Sequence, residues 1–301
     1  MGSKKGRKLK LLSHGIEIEV EISGPETGPV VLMIAGLGQQ LIDWPAALIK
    51  ALVNAGYKVI CFDNRDIGYS QSFRSTGAPP MAWELLKARF GMGVNAPYSI
   101  ADMAQDAKGI LDALGIPAAH VIGWSMGGMI AQRFALSYPD ATLTLTCIMT
   151  SSGIPVTQMQ VFQAMGVPQF THTVEAKIEK TLTIYRLLMS PSYPEPEKDM
   201  RARVAASVER AEAAKSSESG LMRQMLAIMA DGKRVYEISA IKVPTLVIHG
   251  AADPMVALKG GQDIAKKIRG SKMVIYEGMG HDFPKKLIPQ IAAEIMLHIK
   301  S

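Results

Sequence analysis

Two periodicities divide the chain. Residues 15–23 (GIEIEVEIS) alternate isoleucine or valine with glutamate, a period of two that predicts a half-exposed strand near a sheet edge. Six further runs, 30–35 (VVLMIA), 57–62 (YKVICF), 119–123 (AHVIG), 142–149 (TLTLTCIM), 244–250 (PTLVIHG) and 272–278 (KMVIYEG), are short and almost continuously apolar. Such runs suit strands covered on both faces, as in parallel sheets. Between them the spacing changes and predicts helices over 43–55, 100–114, 126–137, 257–269 and 285–298, the second behind a Ser99-x-x-Asp102 capping box. Strand and helix in alternation predict an α/β fold built on a mainly parallel, doubly wound sheet.

One interval breaks the rhythm. Residues 153–239 show no strand pattern, carry dense charge and are rich in methionine (Met159, Met165, Met189, Met200, Met222, Met225, Met229), which predicts a helical insertion. The expected organisation is a basic arm (1–12), a core in two parts (13–152 and 240–301) and this insertion between them. Residues 72–97 read as a loop containing one helix.

Composition sharpens the picture. With 301 residues, 48% of them hydrophobic, the chain can bury a large core. The net charge of +6 suggests a nucleic-acid partner only until its location is noted: Lys4, Lys5, Arg7, Lys8 and Lys10 lie in the first ten residues. Such a cluster reads as a solvated arm, and the rest of the chain is nearly neutral. With the charge confined to that arm, no nucleic-acid binding is expected. No run of about 18 apolar residues is present and Leu11-Leu12 is too short for a secretory h-region, so no stable membrane insertion is expected and a cytoplasmic location is. The two cysteines, Cys61 and Cys147, each sit in an apolar strand-like run and read as core residues, not a disulfide. The six histidines are scattered without metal-ligand spacing, so neither metal nor cofactor is expected.

The candidate chemistry begins at GWSMGG, residues 123–128, where an apolar strand gives way to a helix. A turn that abrupt forces its corner residue, Ser125, to positive φ, and Gly123 and Gly127 remove the Cβ atoms that would collide with the neighbouring backbone. The corner presents Ser125 Oγ above the carboxyl ends of the strands, at a helix N-terminus. A serine hydroxyl needs a general base, itself oriented by a carboxylate. His281, in the glycine-rich loop after the last apolar run, and Asp253, just beyond the preceding one, supply both in the chain order this motif requires. Asp282 adjoins His281 too closely to orient it. Backbone N–H donors for an oxyanion are assigned to Met126, after the nucleophile, and to Leu37 in the loop Gly36-Leu37-Gly38. His14, His120, His172, His249 and His298 read as structural or exposed. Gly36-x-Gly38 with Asp63 partly imitates a dinucleotide fingerprint, but Leu41 stands where its third glycine belongs.

With GWSMGG, HGAADPMV, GMGH and AGLGQQ assembled, the chain resembles the α/β-hydrolase superfamily over about residues 15–150 and 240–300. AGLGQQLIDWP, DNRDIGYS and IADMAQDAKGILDALGI resemble the serine esterases related to aclacinomycin methylesterase. That resemblance implies a helical cap between core strands 6 and 7, where the insertion lies. Family members often carry His-Gly before the oxyanion residue, whereas this chain has Ala35-Gly36. In DNRD, Asp63, Arg65 and Asp66 read as part of an Arg–carboxylate brace for a loop and not as a second acid centre. The expected activity is hydrolysis of small to medium apolar carboxylic esters through Ser125, His281 and Asp253, with a small-molecule ester as partner and with homodimerisation left open. Thioesterase, C–C bond hydrolase, perhydrolase and acyltransferase activities use the same residues. A slow-turnover binding protein on this scaffold is the other alternative.

Overall fold

The computed structural model describes residues 6–76, 81–90, 92–153, 173–216 and 218–300. The eight strands are β1 (Arg7–Ser13), β2 (Ile16–Ser23), β3 (Val30–Ile34), β4 (Lys58–Phe62), β5 (Ala119–Trp124), β6 (Thr142–Ile148), β7 (Thr245–Gly250) and β8 (Lys272–Tyr276). They form one sheet in the order β1-β2-β4-β3-β5-β6-β7-β8. β1, β2 and β4 pair antiparallel, and every pairing from β4 through β8 is parallel.

The helices are α1 (Ala46–Asn54), α2 (Met81–Arg89), α3 (Ile100–Ala113), α4 (Met126–Ser137), α5 (Val174–Leu188), α6 (Glu197–Ala213), α7 (Glu218–Ala230), α8 (Arg234–Glu237), α9 (Lys259–Lys267) and α10 (Ile288–Lys300). The period of two along the strands distributes the core between the sheet faces. Val30, Leu32 and Ile34 pack with α3, α4 and α9, while Val31, Met33 and Ala35 pack with α1 and α10. Cys61 and Cys147 are free, buried and in different clusters. Burial pushes both thiols up, Cys147 to about 12. α3 starts at the expected box, with Ser99 Oγ accepting from Asp102 N at 3.1 Å.

The basic arm is a correction to the sequence reading. Residues 7–12 are not a solvated tail; with Ser13 they form β1, the edge strand, which pairs with β2, so that 15–23 lies near the sheet edge as expected. Lys8 and Lys10 face solvent and pair across the strands with Glu21 and Glu17, at 3.7 and 3.3 Å, while Leu9 and Leu11 pack on the core. The alternation K-L-K-L was present in the sequence, masked by its charge.

Helices α5 to α8 lie between β6 and β7 in the chain. α5 and α6 share a small core of their own made of Ile178, Leu182, Met200, Val204 and Val208. The rest of the expected insertion, 154–172, including Met159, Met165 and His172, is outside the described residues. Among the described residues no helix is long and apolar enough to cross a membrane.

Candidate active site

The elbow follows from local sterics. Ser125 joins β5 to α4 with φ +55° and ψ −124°, a conformation that costs a non-glycine residue on the order of 1–3 kcal/mol. The glycines leave it room. A Cβ on Gly123 would lie 2.1 Å from Gly127 O, and one on Gly127 would lie 2.0 Å from Ile34 O. Neither obstacle is a side chain that could swing away. Thr150 Oγ1 donates to Ser125 O at 2.7 Å and Ser125 N donates to Ile148 O at 2.9 Å, so the strained residue is tied at both ends of its backbone.

Three side chains expected to act together are adjacent. His281 Nε2 lies 3.0 Å from Ser125 Oγ, and His281 Nδ1 lies 2.7 Å from Asp253 Oδ2. An ionised carboxylate only accepts, so Nδ1 carries the proton and Nε2 offers its lone pair to the serine hydroxyl. Asp253 Oδ1 accepts from Met255 N at 2.9 Å and Val256 N at 2.8 Å, which fixes the carboxylate plane. His281 and Asp253 are both buried. Trp124 packs beside the imidazole at 6.1 Å between centroids and belongs to an aromatic cluster with Trp44 and Phe283.

Asp282, the rival acid, faces away from this chain of bonds. Its Oδ1 accepts from Ser190 Oγ, and burial raises its pKa. Ser190 Oγ accepts in turn from Gly280 N at 2.7 Å, and His281 N donates to Leu188 O at 2.8 Å. The segment following α5 therefore grips the histidine loop.

The expected oxyanion donors flank the serine. Met126 is the first residue of α4, and the backbone of the Leu37 loop abuts the corner: a Cβ on Gly36 would lie 3.2 Å from Ser125 Cβ. Among the described residues, no protein acceptor meets the N–H of Leu37 or of Met126.

The DNRD loop is braced more heavily than one ion pair. Arg65 forks onto Asp106 of α3 at 2.6 and 2.7 Å. Asp63 is paired with Arg210 of α6 at 2.8 Å, and Asp66 with Arg223 of α7 at 2.6 and 2.8 Å. Burial by itself would raise the Asp66 carboxyl, but hydrogen bonds from Arg223, Phe73 N and Tyr98 outweigh it and hold the group below the usual carboxylate value.

His249, read from the sequence as structural or exposed, adjoins the acid of this site. It is buried on β7, its Nε2 is 2.7 Å from Val256 O, and it stands 3.6 Å from Asp253 Oδ2. Burial lowers its pKa, so it is neutral and leaves His281 as the cationic partner of Asp253 when that ring is protonated. The four-residue spacing His249–Asp253 was the available signal. His120 and His298 are buried against Thr144 Oγ1 and Leu145 O, and His14 is exposed in a turn.

Comparison with known proteins shows the family and fold of the chain. A family model described as "alpha/beta hydrolase fold" matches residues 29–284. Rhodomycin D methylesterase DnrP of Streptomyces peucetius is 27% identical over 301 residues, covering 93% of each chain. The putative carbamate hydrolase RutD of Variovorax paradoxus is 27% identical over 268 residues, covering 88% of this chain and 89% of its own. Among solved structures, the enol-lactonase from Burkholderia xenovorans LB400 superposes with a TM-score of 0.75 at 21% identity, covering 97% of this chain and all of its own.

Proposed function

Since the chain belongs to the alpha/beta hydrolase fold family, we propose that it is a serine esterase that cleaves small to medium apolar carboxylic esters through an acyl-enzyme. Ser125 Oγ attacks the ester carbonyl while His281 Nε2 takes its proton. Asp253 holds the ring in the required tautomer and offsets the imidazolium charge. The oxyanion of the tetrahedral intermediate accepts from Leu37 N–H and Met126 N–H. His281 then protonates the leaving alcohol and next activates water, which attacks the acyl carbon and frees Ser125. No cofactor enters any step.

The observation that carries this reading is the continuous chain Ser125 Oγ, His281, Asp253 at 3.0 and 2.7 Å, mounted on a positive-φ corner. A structural role alone does not account for a strained serine whose hydroxyl meets an imidazole. The methylesterase relative supports an ester substrate. We assign the helical insertion the role of a cap over an adaptable apolar pocket, with most of its methionines packing the cap itself, as Met200 does between α5 and α6.

Ser125→Ala tests the reading. Hydrolysis of short p-nitrophenyl esters is expected to disappear while the circular dichroism spectrum and melting temperature stay as in the parent. Undiminished turnover rejects the mechanism. The relative named as a putative carbamate hydrolase motivates running aryl carbamates and thioesters beside the esters. Their kcat/KM values are expected to fall below those of esters of equal size.

A further inference from the structure

We propose that Gln224, on α7, is a positioning residue that holds the oxyanion loop in its working conformation. This rests on the esterase reading above. Gln39 N donates to Gly36 O at 3.1 Å, which closes a four-residue turn over Gly36, Leu37, Gly38 and Gln39. Gly38, its third residue, has φ +70°, as a type II turn requires. In such a turn the central peptide, Leu37–Gly38, points its N–H out of the turn without an internal partner. Gln224 Oε1 accepts that N–H at 3.0 Å.

The other end of the same amide is fixed as well, since Gln224 Nε2 donates to Arg65 O at 2.9 Å. Rotating the amide by half a turn would set NH2 against N–H and oxygen against oxygen, so only one orientation satisfies both neighbours. Gln224 is fully buried. One turn earlier on α7, Leu221 closes over the loop: a Cβ on Gly38 would lie 2.8 Å from Leu221 Cδ1.

A type II turn converts to type I by rotation of its central peptide, which changes Leu37 ψ and returns Gly38 φ to negative values. Glycine permits both forms, so residue identity does not choose between them. Gln224 chooses, because rotation would bring Leu37 O against Gln224 Oε1. The Leu37 N–H assigned to the oxyanion lies in the adjoining Gly36–Leu37 peptide, which the rotation does not itself turn. What Gln224 supplies is an anchor at Gly38 N that holds the Leu37 backbone in place, and the donor's alignment is worth most when the charge has developed on oxygen. Losing the acceptor at Gln224 therefore lowers kcat and leaves KM nearly unchanged. Because the Met126 donor remains, the expected loss is about 10- to 100-fold, below the 10²–10³ typical of a deleted donor.

The test compares Gln224→Met, which keeps the volume without an acceptor, with Gln224→Glu, whose buried carboxyl is favoured in its protonated form, so that one oxygen accepts from Gly38 N–H while the O–H donates to Arg65 O. For Gln224→Met, kcat on a p-nitrophenyl ester is expected to fall about 10- to 100-fold with KM within about threefold. Inhibition by an aryl trifluoromethyl ketone, which forms a tetrahedral oxyanion on the serine, should weaken by the same factor. Gln224→Glu should recover most of the loss. If Gln224→Met does not fold, Gln224→Asn, one methylene too short to reach Gly38 N, replaces it. An unchanged kcat, a rise in KM alone, or a Gln224→Glu variant as impaired as Gln224→Met overturns the proposal. Ser125→Ala is assayed alongside: if it retains turnover, the esterase reading fails and this one with it. If it is inactive while Gln224→Met is unimpaired, only the role of Gln224 fails.

Discussion

Arg223→Met tests what the buried guanidinium under α7 contributes. Arg223 and Asp66 are both fully buried, and the guanidinium meets both carboxylate oxygens, at 2.6 and 2.8 Å. Removing one partner of such a pair leaves an uncompensated buried charge and typically costs about 3–5 kcal/mol. Phe73 N at 2.8 Å and Tyr98 Oη at 2.8 Å still donate to Asp66, which places the expected loss near the lower limit, about 3 kcal/mol. With an unfolding entropy of about 2.1 cal/mol/K per residue, that corresponds to a drop in melting temperature of roughly 5 °C. The pH dependence makes the prediction specific. In the parent, Asp66 is held below its ordinary value, so its contribution is present above the unfolded-state pKa and lost as pH falls through the folded one. In Arg223→Met, burial is no longer offset, the folded pKa rises above the unfolded value, and the variant gains stability as acid protonates the carboxyl. The deficit should therefore be largest near pH 7.5 and narrow to about 1 kcal/mol or less near pH 4. Urea unfolding followed by tryptophan fluorescence at several pH values measures it, and Asp66→Asn added to Arg223→Met should recover part of the loss at neutral pH. A deficit under 1 kcal/mol at pH 7.5, or one that is constant across pH, refutes the reasoning.

Three further outcomes follow from named contacts. Gly127→Ala places a methyl 2.0 Å from Ile34 O and 2.6 Å from Ala35 O, both main-chain atoms, so soluble yield should collapse or melting fall by well over 5 °C, whereas Ala131→Gly in the same helix should be far milder. Asp253→Asn should lower kcat by about 10³–10⁴ with KM and melting temperature little changed, since the amide supports the wrong imidazole tautomer; a loss under tenfold in steady-state kinetics contradicts the assigned role. Cys61 and Cys147 should resist a thiol reagent at pH 8 in the native protein and react together on unfolding, because burial disfavours both thiolates; fast native labelling contradicts this.

Local signals carried the legible part. The core strands and helices announce themselves by period, and Ser125 by glycines whose spacing follows from sterics at one corner. His281 and Asp253 could be placed because each lies just past the carboxyl end of an apolar strand. What could not be read depends on contacts between distant segments. Arg210 and Arg223 stand 147 and 157 residues from the carboxylates they pair with, and Gln224 stands 186 from the amide it accepts. No local pattern marks those three out from other polar residues on charged helices. β1 was a different failure: its alternation is clear, but five nearby cations read more strongly as a tail.

The most direct test of the central claim is the intact mass of the folded protein after exposure to a fluorophosphonate, followed by peptide mapping. One phosphonyl group on Ser125, formed with loss of fluoride, abolished in Ser125→Ala and slowed by orders of magnitude in His281→Ala, is the result this structure predicts. Modification of Ser125→Ala at the parental rate, or a parent that hydrolyses esters yet never acquires the adduct at Ser125, contradicts it.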